Sequence, residues 1–283
     1  MRVNWKFFVM AALALALVTP AALAQGSGQQ PPPKPPAPGQ QPPAQQPPAQ
    51  EPAAPPVNPE EEAAYKAFFE IPKSEHQRTV DAGEDFVKKF PESRYREAVY
   101  SRMVTSYLNL EKIDLMYSTG EKALALNPSN ADVLAMLSWA IPRRWDSREL
   151  DAQQKLNKVE GYGKKAIEVI EAMPKPETMT DEDFTKAKSE KLSMAHSGLG
   201  VINYHKQRFA DMATELETAT KLSANPDPVD FYLLAVAYQQ TNRWPEAAAA
   251  YEKCSEVGPV TDRCKSGAKT AKMKAGPPAA PKQ

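Results

Sequence analysis

The sequence predicts an all-α solenoid of about five helix pairs with a closing C-terminal helix, preceded by a secretory signal and a disordered Pro/Gln-rich linker. Three observations predict it. A 34-residue pattern of small and aromatic side chains at 228–261 has weaker copies upstream. Helix-capping residues recur along the chain from residue 58 onward. No run of alternating β-branched residues, which would predict a strand, lies between these signals.

Residues 1–24 have the features of a secretory signal peptide. Arg2 and Lys6 provide the positive start, residues 7–18 are uninterruptedly apolar, and Ala22–Ala24 has the small-x-small pattern that a signal peptidase cleaves. The apolar stretch is too short to span a bilayer as a mature helix, and no second stretch of spanning length follows. The mature chain is therefore expected to begin at Gln25 without a transmembrane segment. The alternative is an uncleaved N-terminal anchor.

Residues 25–58 are predicted to be a disordered linker rich in Pro, Gln and Ala. Thirteen prolines lie between Pro31 and Pro56, and apolar side chains that could form a core are nearly absent. This proline density favours polyproline II, in which 31–59 would reach roughly 90 Å at about 3.1 Å per residue. The segment is either a tether or docking strip, or a disordered leader.

Helix-start signals mark the region that follows. Asn58–Pro59 and Asp227–Pro228 combine a capping side chain with a proline in the first turn, where its missing N–H costs nothing. Three other starts have the spacing of a capping box or its Asp variant: Ser74 with Gln77, Asp146 with Glu149, and Thr180 with Asp183. The repeat domain is predicted to span 59–274. Its approximate pairs are 60–91, 93–128, 130–174, 181–226 and 228–259, followed by a closing helix at 261–274 and a disordered tail at 275–283.

The unit at 228–261 is the strongest copy of the repeat. Small residues at positions 8 and 20 let two antiparallel helices approach, and aromatic residues at 11, 17 and 24 fill the space beside them. The defining residues are Leu234, Ala235, Tyr238, Trp244, Glu246, Ala247, Tyr251 and Pro259. The pattern resembles the tetratricopeptide repeat and departs from it mainly at position 27, where Cys254 replaces the usual alanine. Weaker copies begin at 193 and at Glu97.

A short sequence motif between two repeats suggests where in the cell the protein acts. Residues 90–95 have the form Phe-Pro-x-Ser-x-Tyr, which resembles tetratricopeptide proteins of the Gram-negative envelope that dock other envelope proteins. No cysteine stands at the predicted cleavage site, so a lipidated N-terminus is not expected. Together with the signal, the resemblance implies a periplasmic or secreted protein of a Gram-negative-type bacterium.

The resemblance also implies a binding groove lined by the first helix of each pair, near positions 2, 5, 9, 12 and 13. The corresponding residues here are Ser101, Thr105, Asn109, Trp139, Ser197, Tyr204, His205, Tyr232, Gln239 and Gln240. This mixture is aromatic and amide rather than cationic, so it does not match the carboxylate clamp of some family members. It suits an extended peptide or a partner helix. The alternative is that several of these residues only pack.

Two further features carry hypotheses. Pro142–Trp145 interrupts the third pair, and Arg143, Arg144 and Trp145 are either a loop contact for a partner or a loop anchor.

Cys254 and Cys264 are the only cysteines. In an exported chain a pair is expected to be bridged; the alternative is two free thiols.

Composition and motifs weigh against several function classes. Residues 59–260 carry about seven more acids than bases, while 261–283 are basic, so nucleic acid is not expected as the main ligand. The three histidines lack metal-site spacing, and we expect no cofactor, no metal and no catalytic constellation. The sequence favours a protein-binding adaptor of the cell envelope. The alternative is a structural spacer that contacts peptidoglycan or membrane through its linker and basic C-terminal tail.

Overall fold

A computed structural model describes residues 58–256 and 258–276. The predicted signal, almost all of the linker and most of the tail lie outside these residues. The described part of the chain has eleven helices and no strand, which confirms the all-α solenoid of five pairs with a closing helix. The helices are α1 Pro59–Glu70, α2 His76–Lys89, α3 Arg96–Asn109, α4 Ile113–Leu126, α5 Ala131–Arg143, α6 Ala152–Glu171, α7 Asp181–His205, α8 Phe209–Leu222, α9 Pro228–Gln240, α10 Trp244–Cys254 and α11 Thr261–Ala275.

Two clusters of buried apolar side chains hold the pairs together. The first runs from Phe68 in α1 to Ile202 in α7, and the second runs from Val201 in α7 to Ala271 in α11. Adjacent residues of α7 thus belong to different clusters. At 25 residues α7 is the longest described helix, and it packs against α5, α6, α8 and α9. It is therefore the element on which the two halves of the core meet.

Small residues stand where the repeat pattern requires close helix approach. Ala235 and Ala247, at positions 8 and 20 of the last repeat, are fully buried. Gly200 occupies position 8 of the preceding copy, and a Cβ added there would lie 2.5 Å from the Leu216 side chain of α8. Such a separation is below van der Waals contact, so a larger residue would push the two helices apart.

Three of the five pairs, the second, fourth and fifth, turn from their first helix to their second in the same way. One residue of each turn has a positive φ: Glu111, Gln207 and Asn242. The next residue donates its backbone N–H to the carbonyl at repeat position 11: Lys112 to Tyr107 at 2.9 Å, Arg208 to Asn203 at 2.9 Å, and Arg243 to Tyr238 at 2.8 Å. A shared turn gives these pairs a common geometry. We call them the regular pairs.

The tyrosine at position 11 connects two of the regular pairs to the pair before. The Tyr107 hydroxyl donates to Glu84 of α2 at 2.6 Å, and the Tyr238 hydroxyl donates to Glu217 of α8 at 2.7 Å. Burial, together with the bonded carboxylate, raises the pKa of both phenols, so they stay protonated. The fourth pair has Asn203 at this position and lacks the link.

The helix-start signals had mixed outcomes. The Thr180 side chain accepts the Asp183 N–H at 3.1 Å, and Asp227 accepts that of Val229 at 2.9 Å, so these two caps are confirmed. The other two boxes were wrong. Helix α2 begins at His76 after Glu75, without a side-chain cap, and α6 begins only at Ala152.

The failed box at Asp146 has a local cause. The Asp146 carboxylate accepts the backbone N–H of Arg148 at 3.0 Å and pairs with its guanidinium, whose Nη2 lies 2.5 Å away. Aspartate is well suited to such a turn two residues on, and the turn competes with a helix start. The connection between α5 and α6 therefore runs over 144–151, longer than the turn of a regular pair.

The prediction that Pro142–Trp145 forms a loop was partly wrong. Pro142 and Arg143 are the last two residues of α5, and only Arg144 and Trp145 belong to the connection. Proline has no N–H to bond the carbonyl of Ser138 four residues earlier. Gly198 of α7 lies against that carbonyl, since a Cβ on it would be 2.4 Å from the oxygen. The third pair is thus held against the fourth by a close approach of the backbones of α5 and α7.

Candidate functional site

The first helices of successive pairs contact one another along the chain, α3 with α5, α5 with α7, and α7 with α9. We call the surface they share the first-helix face. On α5 the residues that keep some exposure are Asp132, Met136, Trp139 and Arg143, although the Arg143 side chain itself is only 4% exposed. Their spacing of four, three and four residues puts them on one side of the helix. On α9 the matching stripe is Val229, Tyr232, Val236 and Gln239, with Gln240 exposed beside it.

On α3 the predicted groove residues are half-buried and already bonded. The Ser101 hydroxyl donates to Glu97 at 3.1 Å and accepts from Asn130 at 2.8 Å. The Thr105 hydroxyl lies 3.6 Å from the sulfur of Met136 on α5. The Asn109 amide donates to the carbonyl of Thr105 at 2.8 Å. This part of the face is polar, and its side chains support one another.

At the centre of the face, a buried ion pair connects three helices. The Arg143 guanidinium of α5 donates to Asp230 of α9 at 2.9 Å and to the Ser197 hydroxyl of α7 at 2.5 Å. Ser197 donates in turn to the second oxygen of Asp230 at 2.6 Å. The Arg143 and Asp230 side chains are 4% and 6% exposed. We call these three residues the triad.

The triad corrects two predicted contacts. Arg143 was expected to meet a partner or anchor a loop, but its guanidinium is buried and bonded inside the fold. Ser197 was expected to line the groove, but it is 2% exposed and its hydroxyl takes part in the triad. In both cases the side chain is bonded within a helix interface instead of facing the surface, because a buried charge requires partners.

Burial dominates the electrostatics of the triad. Desolvation raises the pKa of Asp230 to about 6, although the Arg143 charge and the Ser197 hydrogen bond act in the opposite direction. At neutral pH the Asp230 carboxylate is therefore ionised, and its negative charge pairs with the positive charge of the Arg143 guanidinium. An ion pair this deeply buried gives little net stability compared with apolar residues, but losing either partner is costly.

Aromatic rings lie beside Arg143 and along the connection that follows α5. The Arg143 guanidinium lies 4.5 Å from the centre of the Trp139 ring, so Trp139 partly covers the ion pair. The rings of Trp145 and His205 are 4.6 Å apart. The indole N–H of Trp145 donates to the carbonyl of Ala152 at 3.0 Å, which ties the connection to the start of α6.

His205 and Tyr204 end α7 in different environments. The Nε2 of His205 donates to the carbonyl of Pro142 at 2.7 Å, because a carbonyl only accepts. Burial lowers the pKa of His205, which favours the neutral ring. Tyr204, by contrast, is 43% exposed. Of the two, Tyr204 is therefore the one open to a partner.

Of the remaining predicted residues, some are bonded within the fold and others are exposed. Gln239 accepts the Tyr251 hydroxyl through its side-chain oxygen at 3.1 Å, while Gln240 is exposed. Tyr232 is half-buried, with its ring 6.1 Å from that of Tyr251. Arg144 is exposed, and its guanidinium lies 3.7 Å from Glu111 at the preceding turn.

The charges of α5 on this face are paired with neighbouring helices. Asp132 lies 2.5 Å from Lys191 of α7, and Arg143 is neutralised by Asp230. What stays accessible between these pairs is apolar, aromatic or amide. Met136, Val229 and Val236 also lie on this face and were not among the predicted residues, although each stands three or four residues from a predicted one. Helical spacing around Trp139 and Tyr232 was the signal that could have found them.

The C-terminal end of the domain carries a disulfide. Cys254 of α10 and Cys264 of α11 are bonded, with Cα atoms 5.8 Å apart. Neither cysteine titrates, and both are fully buried. Elsewhere, the described residues include no group of three His, Cys, Asp or Glu side chains suited to a metal ion. None of the described helices is long and apolar enough to cross a membrane.

The fold and this face define an all-α helical-repeat protein, and the paired helices with their position-specific small and aromatic residues make it tetratricopeptide-like. The chain is similar to three solved structures. PilW, a widely conserved type IV pilus biogenesis factor, is 15% identical over 77% of this chain and 91% of its own, with a TM-score of 0.49. BtubC from P. vanneervenii is 16% identical over 79% and 91%, with a TM-score of 0.46. A thermophilic TPR protein from Thermus thermophilus is 17% identical over 75% and 98%, with a TM-score of 0.40.

No protein-family model and no curated protein matches the chain. The assignment of the fold rests on the helix pairs, the shared turns and the buried small residues of this chain.

Proposed function

We propose that the protein is a non-catalytic adaptor that binds an extended segment of a partner protein on the first-helix face. One observation carries the proposal. Apolar, aromatic and amide side chains keep some exposure on α5, α7 and α9, and the charges of α5 on this face are already paired. The residues proposed to make contact are Met136, Trp139, Tyr204, Tyr232, Val236 and Gln240.

The chemistry of the face favours an extended segment over a helix. An extended chain has unbonded backbone N–H and C=O groups, which amide side chains such as Gln240 can bond. A helix has already bonded its own backbone, so it would use only the apolar part of the face. Met136, Trp139 and Tyr232 supply apolar and aromatic surface for the side chains of such a segment.

The pairing of charges restricts the partner further. Lys191 is engaged by Asp132, and Arg143 by Asp230, so neither cation is free to hold a terminal carboxylate. The expected partner segment is therefore apolar and nearly uncharged where it meets α5 and α7. The predicted signal and the phrase at 90–95 support an envelope setting for this partner.

A photocrosslinking experiment tests the proposal. A photoreactive amino acid is placed at Tyr204 or Tyr232 on the face, and at Leu115 or Leu126 on α4 as exposed controls away from it. A partner bound on the face should crosslink from positions 204 and 232 and not from 115 and 126. The same adduct must be recovered from both face positions.

Substitution measures how much the residues of the face contribute to binding affinity. Tyr204→Ala with Tyr232→Ala should weaken binding of the crosslinked partner by at least about tenfold, since aromatic residues in a binding interface contribute on the order of 1–2 kcal/mol each. Leu115→Ala with Leu126→Ala should leave binding unchanged. Helicity by circular dichroism should stay the same in both double variants. Equal crosslinking from α4, or unchanged affinity in the tyrosine variant, would remove the face from the mechanism.

A further inference from the structure

The closing helix α11 differs in charge from the rest of the domain. Between Thr261 and Ala275 five bases stand against one acid: Arg263, Lys265, Lys269, Lys272 and Lys274 against Asp262. Residues 59–260 have the opposite balance, with about seven more acids than bases. A helix that only covers the end of a solenoid needs a polar outer side. It does not need that side to be of one sign.

The packing of α11 turns all of these bases outward. The side that meets α10 consists of small residues, namely Cys264, Ala268 and Ala271, which are all buried. Gly267 lies directly on the Tyr251 ring, because a Cβ there would be 2.6 Å from it. The disulfide from Cys254 to Cys264 ties the two helices covalently. The exposed bases are therefore carried by a helix that is fixed to α10.

Little of this positive charge is neutralised within the fold. Lys272 lies 2.5 Å from Glu252 of α10. Among the described residues, no carboxylate lies within 4.0 Å of any other base of α11. Four outward cations on one short helix are an electrostatic site for an anionic surface.

One apolar residue stands among the cations. Met273 is 68% exposed, and Lys272 and Lys274 flank it in sequence. A soluble polyanion has no apolar surface that the Met273 side chain could contact. At a bilayer surface, lysine stems reach the phosphate groups while an apolar side chain enters the boundary between headgroups and acyl chains.

We propose that the outer side of α11 binds the surface of a bilayer that contains anionic phospholipid. Each base near such a surface strengthens binding by about fivefold, so the site is of modest affinity and depends on the anionic lipid content. The contact would hold the C-terminal end of the repeat domain against the membrane. It is independent of the first-helix face, and it can be correct or wrong whatever binds there.

Vesicle flotation tests the proposal with the chain from Gln25 onward, which lacks the apolar stretch 7–18. The probes are vesicles of phosphatidylcholine mixed with phosphatidylglycerol, and vesicles of phosphatidylcholine alone. Binding is expected only to the anionic vesicles, and it should weaken as salt rises from low to physiological concentration. Equal binding to both vesicles, or binding to neither at low salt, overturns the proposal.

Two double variants with the same change in net charge locate the site. Lys265→Glu with Lys269→Glu should lower affinity for anionic vesicles by about 25-fold or more, at about fivefold or more for each lysine changed. Lys88→Glu with Lys186→Glu, at exposed positions outside α11, should change it much less. An equal loss in the two variants would mean that overall charge, and not α11, governs binding. Lys265→Gln with Lys269→Gln gives a milder check, and circular dichroism verifies that each variant is folded.

A soluble polyanion is the competing ligand, and Met273 separates the two. Met273→Ser should weaken vesicle binding severalfold while leaving the affinity for dextran sulfate unchanged. If the variant binds vesicles as well as the parent chain does, or if dextran sulfate binds more tightly than the vesicles at equal anion concentration, the site is one for soluble polyanions and the lipid assignment is wrong.

Discussion

The regular pairs and the third pair are stabilised in different ways. The regular pairs use a three-residue turn, and in two of them a position-11 tyrosine bonds the preceding second helix. The third pair has an eight-residue connection, a proline in the last turn of α5, and a buried ion pair to α9. Each tyrosine hydrogen bond reaches only the adjacent pair, whereas the triad links the third, fourth and fifth pairs at once.

This difference has a consequence for function. A regular pair shares its turn geometry with the other regular pairs, so the positions of its first-helix residues follow the repeat pattern. The third pair breaks the pattern, and the aromatic residues Trp139, Trp145 and Tyr204 gather around the break.

Breaking the triad should have the largest effect. Arg143→Met keeps much of the side-chain volume but leaves Asp230 buried without its cation. The free energy of unfolding should fall by about 3–5 kcal/mol at neutral pH, the usual cost of removing one partner of a buried ion pair. Urea unfolding followed by circular dichroism measures it. In Arg143→Met with Asp230→Leu, much of the loss should be recovered, because no unpaired charge remains.

The same variant makes a prediction about pH. Burial already raises the pKa of Asp230 to about 6 from 3.8, and Arg143, which lowers it, is absent from the variant. The folded state then binds the proton more tightly than the unfolded chain does, so stability of Arg143→Met should rise as the pH falls from about 8 to about 5. A loss independent of pH would mean that packing, and not charge, governs the contact.

Separating the backbones of α5 and α7 should have the second effect. Gly198→Ala would put a Cβ 2.4 Å from the Ser138 carbonyl oxygen, and a backbone atom cannot move aside cheaply. We expect a loss of about 1–3 kcal/mol or more by thermal and urea unfolding. Gly161→Ala on α6 is the matched control, since nothing lies within 4 Å of its Cβ. It should stabilise the protein by up to about 1 kcal/mol through helix propensity.

Removing the hydroxyl link of the regular pairs should have the smallest effect. Tyr107→Phe and Tyr238→Phe each delete one hydrogen bond, to Glu84 and Glu217, and should each cost about 1 kcal/mol or somewhat more, because the acceptors are charged. The two losses should add in the double variant, since the sites lie in different core clusters. Losses as large as that of Arg143→Met would contradict the distinction between the two regions.

The parts of the fold that were predicted correctly depend on local sequence. The caps at Thr180 and Asp227 require only the next two or three residues to fold. The repeat at 228–261 resembled a known pattern because its small and aromatic residues pack at fixed helical spacing. The box at Asp146 failed for an equally local reason, since Arg148 competes for the same carboxylate.

The candidate site was harder to predict because exposure depends on distant residues. Ser197 and Tyr204 are seven residues apart on α7, yet one is buried in the triad and the other is exposed. Asp230 was not assigned at all, since its partner Arg143 lies 87 residues away in the sequence. No periodic pattern reports a contact between single residues that far apart.

By itself, the sequence determined the helices, their pairing and the excess of bases on α11, because apolar periodicity, capping and composition act over a few residues. Only the tertiary structure decided which first-helix side chains are open to a partner and that all the bases of α11 point outward. It did so by burying Arg143, Ser197 and Asp230 together and by packing the small residues of α11 against α10. Burial depends on what every neighbouring helix contributes, and that information is spread over the whole domain.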